Sequence, residues 1–246
     1  MAGVIALQGG GPFTANDELD AELIGDVKRA GVRGRVVVLP TADAFEHPER
    51  LVAAALGWAE RLTAAGVAFD VEALMVVRRT EAMEQGAAAV VRDACALYLV
   101  GDQPLHLRSV LKDTPLWHAV GDLRARGGLV VGVGASASAL CDPMVDPRGG
   151  AFTLGLGLVP GLAVMHAVET WSAERLQRTL GMADTPVASL PSGAALVTAA
   201  GGWRTVGDVA VRGELPHLRP DRPDRPDRPD RPDRPDSNRE RPVSSR

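Results

Sequence analysis

Short, uninterrupted apolar runs alternate along the chain with longer stretches in which apolar residues recur every three or four positions. Val4 to Leu7, Arg35 to Leu39, Val71 to Val77, Cys95 to Val100 and Leu129 to Val133 read as strands. The segment opening at Thr14, with Asp17 and Glu18 in its first turn, reads as a helix, as do Pro48 to Ala65, Glu81 to Ala94, Leu105 to Leu111, Pro115 to Arg126 and Ser172 to Leu180. Strands apolar on both faces need cover on both faces, and strands separated by helices pair in parallel. The pattern predicts an α/β fold: a three-layer parallel sheet with helices on both faces. Near the end, Ala194 to Thr198 and Val206 to Val211, with Gly201-Gly202 between them, predict a C-terminal hairpin.

The pattern stops near Gly213. From Arg219 to Asp236 the triplet Arg-Pro-Asp is repeated six times. Proline at every third position excludes helix and ladder alike, and no apolar side chain offers burial. Residues 1–213 are therefore expected to form one domain, and residues 214–246 an extended, disordered tail. The tail reads as a repeat-expanded appendage whose charges balance within each triplet, with a spacer or weak partner-binding segment as the alternative.

Composition narrows the function classes. Hydrophobic residues make up 46% of the chain and few are aromatic, so the core is built mainly from Val, Leu and Ala. The net charge of -4, with basic residues interspersed among acidic ones outside the tail, gives no footprint for nucleic acid or anionic lipid. No apolar run approaches the length of a membrane span and no basic leader precedes the first strand, so a cytoplasmic protein without membrane contact is expected. Cys95 and Cys141 lie in apolar segments without metal or disulfide spacing, and His47, His106, His118 and His217 show no ligand spacing. No metal and no cofactor are expected. Gly9-Gly10-Gly11-Pro12 lacks both the dinucleotide spacing and the lysine of a phosphate loop.

Candidate chemistry gathers at the strand ends, where ligands bind in parallel sheets. Gly9-Gly10-Gly11, Gly101 and Gly134 each follow a predicted strand. The last runs into Gly134-Ala135-Ser136-Ala137-Ser138-Ala139, a strand-to-helix junction of small residues. A tight turn of that kind exposes a nucleophile beside backbone amides, and the pattern Gly-x-Ser-x-Gly is met at Gly134 and Ser136, with Ser138 in place of the second glycine. Ser136 is the candidate nucleophile.

At this point the chain resembles the dipeptidase E and cyanophycinase family of serine peptidases, within the class I glutamine amidotransferase-like (flavodoxin-like) folds. The resemblance runs from residue 3 to about 211. It is carried by Gly9-Gly10, Leu39-Pro40-Thr41-Ala42, Val100-Gly101-Asp102-Gln103 and the elbow, whose family form Gly-x-Ser-Ala-Gly-Ala selects Ser136 over Ser138. Pro143-Met144-Val145-Asp146-Pro147 and Leu156-Gly157-Leu158-Val159-Pro160 resemble the approach to the family's histidine and imply His166 as general base. The family's late acid corresponds to Ser192, so the orienting acid is left to Asp142, with Asp146 and Glu169 as alternatives. The resemblance further implies oxyanion or substrate contacts at Gly10, Gly101, Asp102, Gln103 and Ala137, and a small, acidic peptide as substrate. A cation to clamp its carboxylate is then expected, but the sequence singles out none, Arg148 and Arg175 being two candidates.

Two functions follow. The first is a serine-type peptidase-like hydrolase with a degraded triad. The second is a catalytically impaired member of the same fold that keeps the pocket as a binding module for a small molecule or peptide, motivated by Ser138, Ser192 and the altered residues around His166. A true glutamine amidotransferase is disfavoured, because that class needs a cysteine at the elbow and Cys141 lies further into the helix. The sequence does not set the quaternary structure, and a homodimer is carried only as a guess.

Overall fold

The computed structural model describes residues 3–199 and 202–217; the Arg-Pro-Asp repeats lie outside them. The chain begins with β1 (Ile5–Gln8), α1 (Asp17–Arg29), β2 (Val36–Leu39), α2 (Pro48–Ala64) and β3 (Val71–Ala73). There follow α3 (Arg79–Ala82), α4 (Gln85–Asp93), β4 (Ala96–Leu99), α5 (Pro104–Leu111), α6 (Pro115–Ala125), β5 (Leu129–Val133) and α7 (Ala135–Leu140). Four two-residue strands come next: β6 (Cys141–Asp142), β7 (Met144–Val145), β8 (Phe152–Thr153) and β9 (Val159–Pro160). The fold closes with β10 (Ala163–His166), α8 (Ala173–Gly181), β11 (Val187–Leu190), β12 (Ala195–Ala199), β13 (Gly202–Val206) and β14 (Ala210–Arg212).

The main sheet has the order β13-β12-β1-β5-β4-β2-β3. Its five strands from β1 to β3 run parallel, and β12 and β13 add an antiparallel edge. Side chains alternate across it as the two-residue period of a strand requires. Ala6, Val36, Val38, Tyr98 and Val131 pack with Leu23 and Ile24 of α1 and Trp58 of α2. Ile5, Leu7, Leu39, Leu99 and Val130 pack with α4 to α7 on the opposite face. This is the mixed α/β architecture with a mainly parallel sheet that the apolar runs predict.

The strand read over Val71 to Val77 is confined to Val71–Ala73, and the structure departs from the sequence pattern in three further places. The helix expected over 81–94 is two helices, because the Glu81 carboxylate accepts from the amides of Val77 (2.7 Å) and Arg78 (3.0 Å) and so caps a short helix of its own. The hairpin's second strand is β13, not 206–211: pairing with β12 ends at Val206, and Ala210–Arg212 crosses to β11. Gly201, expected in the turn, lies outside the described residues. The third is a small sheet, β10-β11-β14, that the sequence reading did not foresee. Past Gly213 the chain still packs: Trp203 Nε1 donates to the Pro216 carbonyl at 2.8 Å, and Leu215 lies against the core. Among the described residues no helix is long and apolar enough to cross a membrane.

Candidate functional site

The carboxyl ends of β1, β4, β5 and β10 bring Gly9, Gly101, Gly134 and His166 to one end of the molecule. The Gly134 amide donates to the Gln8 carbonyl and the Ala167 amide to the Gly9 carbonyl, each at 2.9 Å, so consecutive residues at the end of β1 hold both junctions. A side chain at Gly10 would meet Ser192 Oγ at 2.8 Å, which places the loop before β12 beside them. At Gly101, with φ of 114°, an added Cβ would lie 2.5 Å from the Ala42 carbonyl carbon and the Asp43 nitrogen; only glycine lets the two loops approach this closely.

The strand-to-helix turn is made by Gly134, with φ 61° and ψ -124°, and α7 already starts at Ala135. Ser136 is thus inside the helix. Its side chain is fully buried and its Oγ has no hydrogen-bond partner. Ser138 is buried too, and its Oγ accepts from the Val145 amide at 3.2 Å. The Ala137 amide donates to the Gly134 carbonyl at 3.0 Å and the Gln103 amide to the Ala42 carbonyl at 2.8 Å, so both are engaged within the fold. Asp102 is exposed at the tip of its loop.

His166 ends β10 half-buried, and its Nδ1 is sealed without a partner. Burial lowers its pKa below the ordinary histidine value; Asp102 opposes that shift, Arg175 adds to it and Glu169 opposes it. Asp142 does not reach the ring: its Oδ1 accepts from the Gly155 amide at 3.0 Å. Asp146 is held by Arg148 at 2.6 Å, which also occupies that arginine. Glu169 receives the Ser192 amide on both carboxylate oxygens at 3.2 Å. The structure therefore does not join Ser136, His166 and Asp142 by hydrogen bonds; the charges acting on His166 are those of Asp102, Arg175 and Glu169. Arg175 is itself ordered, its guanidinium 3.9 Å above the Trp171 ring and donating to the Pro147 carbonyl at 2.9 Å.

Beneath the glycine turn lies a polar cluster that sequence reading passed over. Asp20 Oδ1 accepts from Gln8 Nε2 at 2.7 Å and from the Tyr98 hydroxyl at 3.0 Å, and Asn16 Nδ2 donates to Gln8 Oε1 at 3.3 Å. Burial raises the Asp20 carboxyl to about 7 against the lowering effect of both donors. The available signal was Gln8, a polar residue closing an otherwise apolar strand. Among the described residues no group of His, Cys, Asp and Glu side chains is arranged to hold a metal ion.

No family model and no curated protein sequence matches the chain. Solved structures do. A peptidase from an acI-B1 Actinobacterium superposes with a TM-score of 0.74 at 25% identity, over 85% of this chain and 88% of its own. A peptidase E candidate from Listeria monocytogenes EGD-e superposes with a TM-score of 0.59 at 19% identity, over 86% of this chain and 98% of its own. The fold is peptidase-like.

Proposed function

We propose that this chain binds small peptides at the carboxyl ends of its sheet and does not cleave them through an activated serine. The observation that carries the proposal is Gly134. A nucleophile elbow presents its side chain from the strained residue directly between strand and helix, and here that residue has no side chain. Ser136, two residues on, is sealed from solvent and bonded to no base. Moved back by two residues, the family motif Gly-x-Ser-Ala-Gly-Ala falls on Gly132-Val133-Gly134-Ala135-Ser136-Ala137. Gly132, Ala135 and Ala137 still match, with glycine where the serine stands. The class I amidotransferase-like layering is part of this reading and is supported by helices on both faces and glycine loops at the strand ends.

A peptide as ligand is suggested by the likeness to the actinobacterial peptidase. We take Arg175, whose guanidinium stacks on Trp171 and whose charge acts on His166, as the cation that would receive a carboxylate. Incubation with a fluorophosphonate probe is expected to leave the intact mass unchanged. A panel of acidic dipeptides should be recovered uncleaved, with calorimetry detecting binding that Arg175→Ala weakens about tenfold. An adduct on Ser136, or dipeptide cleavage lost in Ser136→Ala, would sink the proposal.

The same burial makes a separate prediction for stability. A hydroxyl buried without a partner costs about 1–3 kcal/mol, and alanine removes it at the expense of a very small void. Ser136→Ala is expected to raise the melting temperature by roughly 2–4 °C for each kcal/mol recovered. A drop on thermal melting would mean that the hydroxyl has a stabilising partner after all.

A further inference from the structure

Gly9 and Gly101 are glycines because other backbone crowds them; Gly134 is not. A Cβ built on Gly134 has only Gly10 Cα within range, at 4.0 Å, an ordinary contact, whereas one on Gly9 would lie 2.1 Å from the Pro191 carbonyl oxygen. The turn at Gly134 thus has room for a side chain, directed toward Gly10 and the glycine loop. His166 stands nearby: residue 134 bonds to the carbonyl of Gln8, the last residue of β1, and residue 167 to that of Gly9 just past it, while α7 packs against β10. Its Nδ1 has no partner, and the binding reading assigns the imidazole no task.

We infer that residue 134 is a nucleophile position left unfilled, and that Gly134→Cys alone creates an accessible thiol which His166 activates. The inference rests on the reading that the unsubstituted chain carries no activated serine. In alkylation by iodoacetamide the thiol gives its proton to the His166 imidazole, sulfur bonds to the methylene carbon and iodide leaves. The native thiols do not compete, since Cys95 and Cys141 are both buried and burial pushes both upward from the ordinary thiol value.

The test alkylates full-length Gly134→Cys with iodoacetamide from pH 6 to 9 and maps the adduct by peptide mass. One carbamidomethyl group is expected, on residue 134, forming at pH 7 at least tenfold faster than in Gly134→Cys combined with His166→Ala. A folded variant unmodified at 134, or a rate indifferent to His166→Ala, overturns the inference. Gly134→Ala accompanies it: if neither variant folds by circular dichroism, the position has no room for a side chain and the inference also falls. Fluorophosphonate labelling of the unsubstituted protein in parallel separates the two levels. An adduct there overturns the non-hydrolytic reading itself, whereas inert residue 134 in an otherwise unlabelled protein overturns only this one.

Discussion

Asp20→Asn is expected to stabilise the folded chain at pH 8 and to leave it nearly unchanged at pH 4. The Asp20 carboxyl titrates near 7 in the folded protein because it is enclosed between α1 and the sheet; in the unfolded chain it titrates near the ordinary aspartate value. Between those limits the folded state holds a proton that the unfolded state has released. Stability therefore falls as pH rises from about 4 to about 7, and above 7 the native core contains a carboxylate. A carboxyl raised from 3.8 to about 7 carries a linkage of about 4 kcal/mol. Asparagine keeps an oxygen for Gln8 Nε2 and the Tyr98 hydroxyl and does not ionise. Retained hydrogen bonds and relaxation of the core reduce the gain to about 2–4 kcal/mol.

His166 contributes with the opposite sign: its pKa, lowered chiefly by burial, makes the folded state the poorer proton binder, so stability gained from it rises with pH toward the ordinary histidine value. Both proteins carry that contribution, and it cancels in the difference between them. Urea unfolding of the two proteins at pH 4.5, 6 and 8 reads the result directly. Parallel curves would mean that Asp20 is ionised throughout, with its charge met by the donors around it. The consequence reaches the site, because Gln8 both donates to Asp20 and accepts the Gly134 amide.

What the sequence made legible was whatever depends on periodicity. Leu129 to Val133 is a strand end to end, and α2, α5 and α6 fall within a residue or so of their apolar patterns, since each buries one face against a sheet that is itself buried. Where one apolar run serves two masters the reading lost its register: Val206 closes one sheet and Ala210–Arg212 joins another, which no local pattern distinguishes. The small sheet escaped because the parallel pairing of β10 with β11 is fixed by tertiary packing and not by a local pattern.

The candidate site was legible as a place but not as a constellation. Glycines after strands pointed to the strand ends, where the structure brings Gly9, Gly101, Gly134 and His166 together. Which residue makes the turn depended on where α7 begins, and a run of Gly, Ala and Ser carries no signal for a boundary to within two residues. That uncertainty of two residues separates a buried helical Ser136 from an elbow made by Gly134. Asp142 was a natural candidate by proximity in sequence, yet its carboxylate is used by the Gly155 amide, a contact between loops that spacing alone does not reveal.

Gly101→Ala is expected to damage the site severely, costing about 3–5 kcal/mol and lowering the melting temperature by roughly 10 °C. Its φ of 114° is strained for any L-residue, and the added methyl would lie 2.5 Å from two backbone atoms of the loop at Ala42 and Asp43. Neither atom is the end of a flexible side chain, so one loop has to move. The loop that moves carries Asp102, whose charge acts on His166, and Gln103, whose amide is bonded to the Ala42 carbonyl at 2.8 Å. Peptide binding should therefore weaken along with stability. Gly134→Ala is the informative contrast: its φ is also positive, but the methyl enters open space, and the cost is limited to backbone strain of about 1–3 kcal/mol. Thermal melts of the two variants side by side measure the difference. Equal losses would show that backbone conformation alone governs both positions, whereas a clearly larger loss at Gly101 marks that glycine as a contact between loops and Gly134 as a place where the fold accepts a side chain.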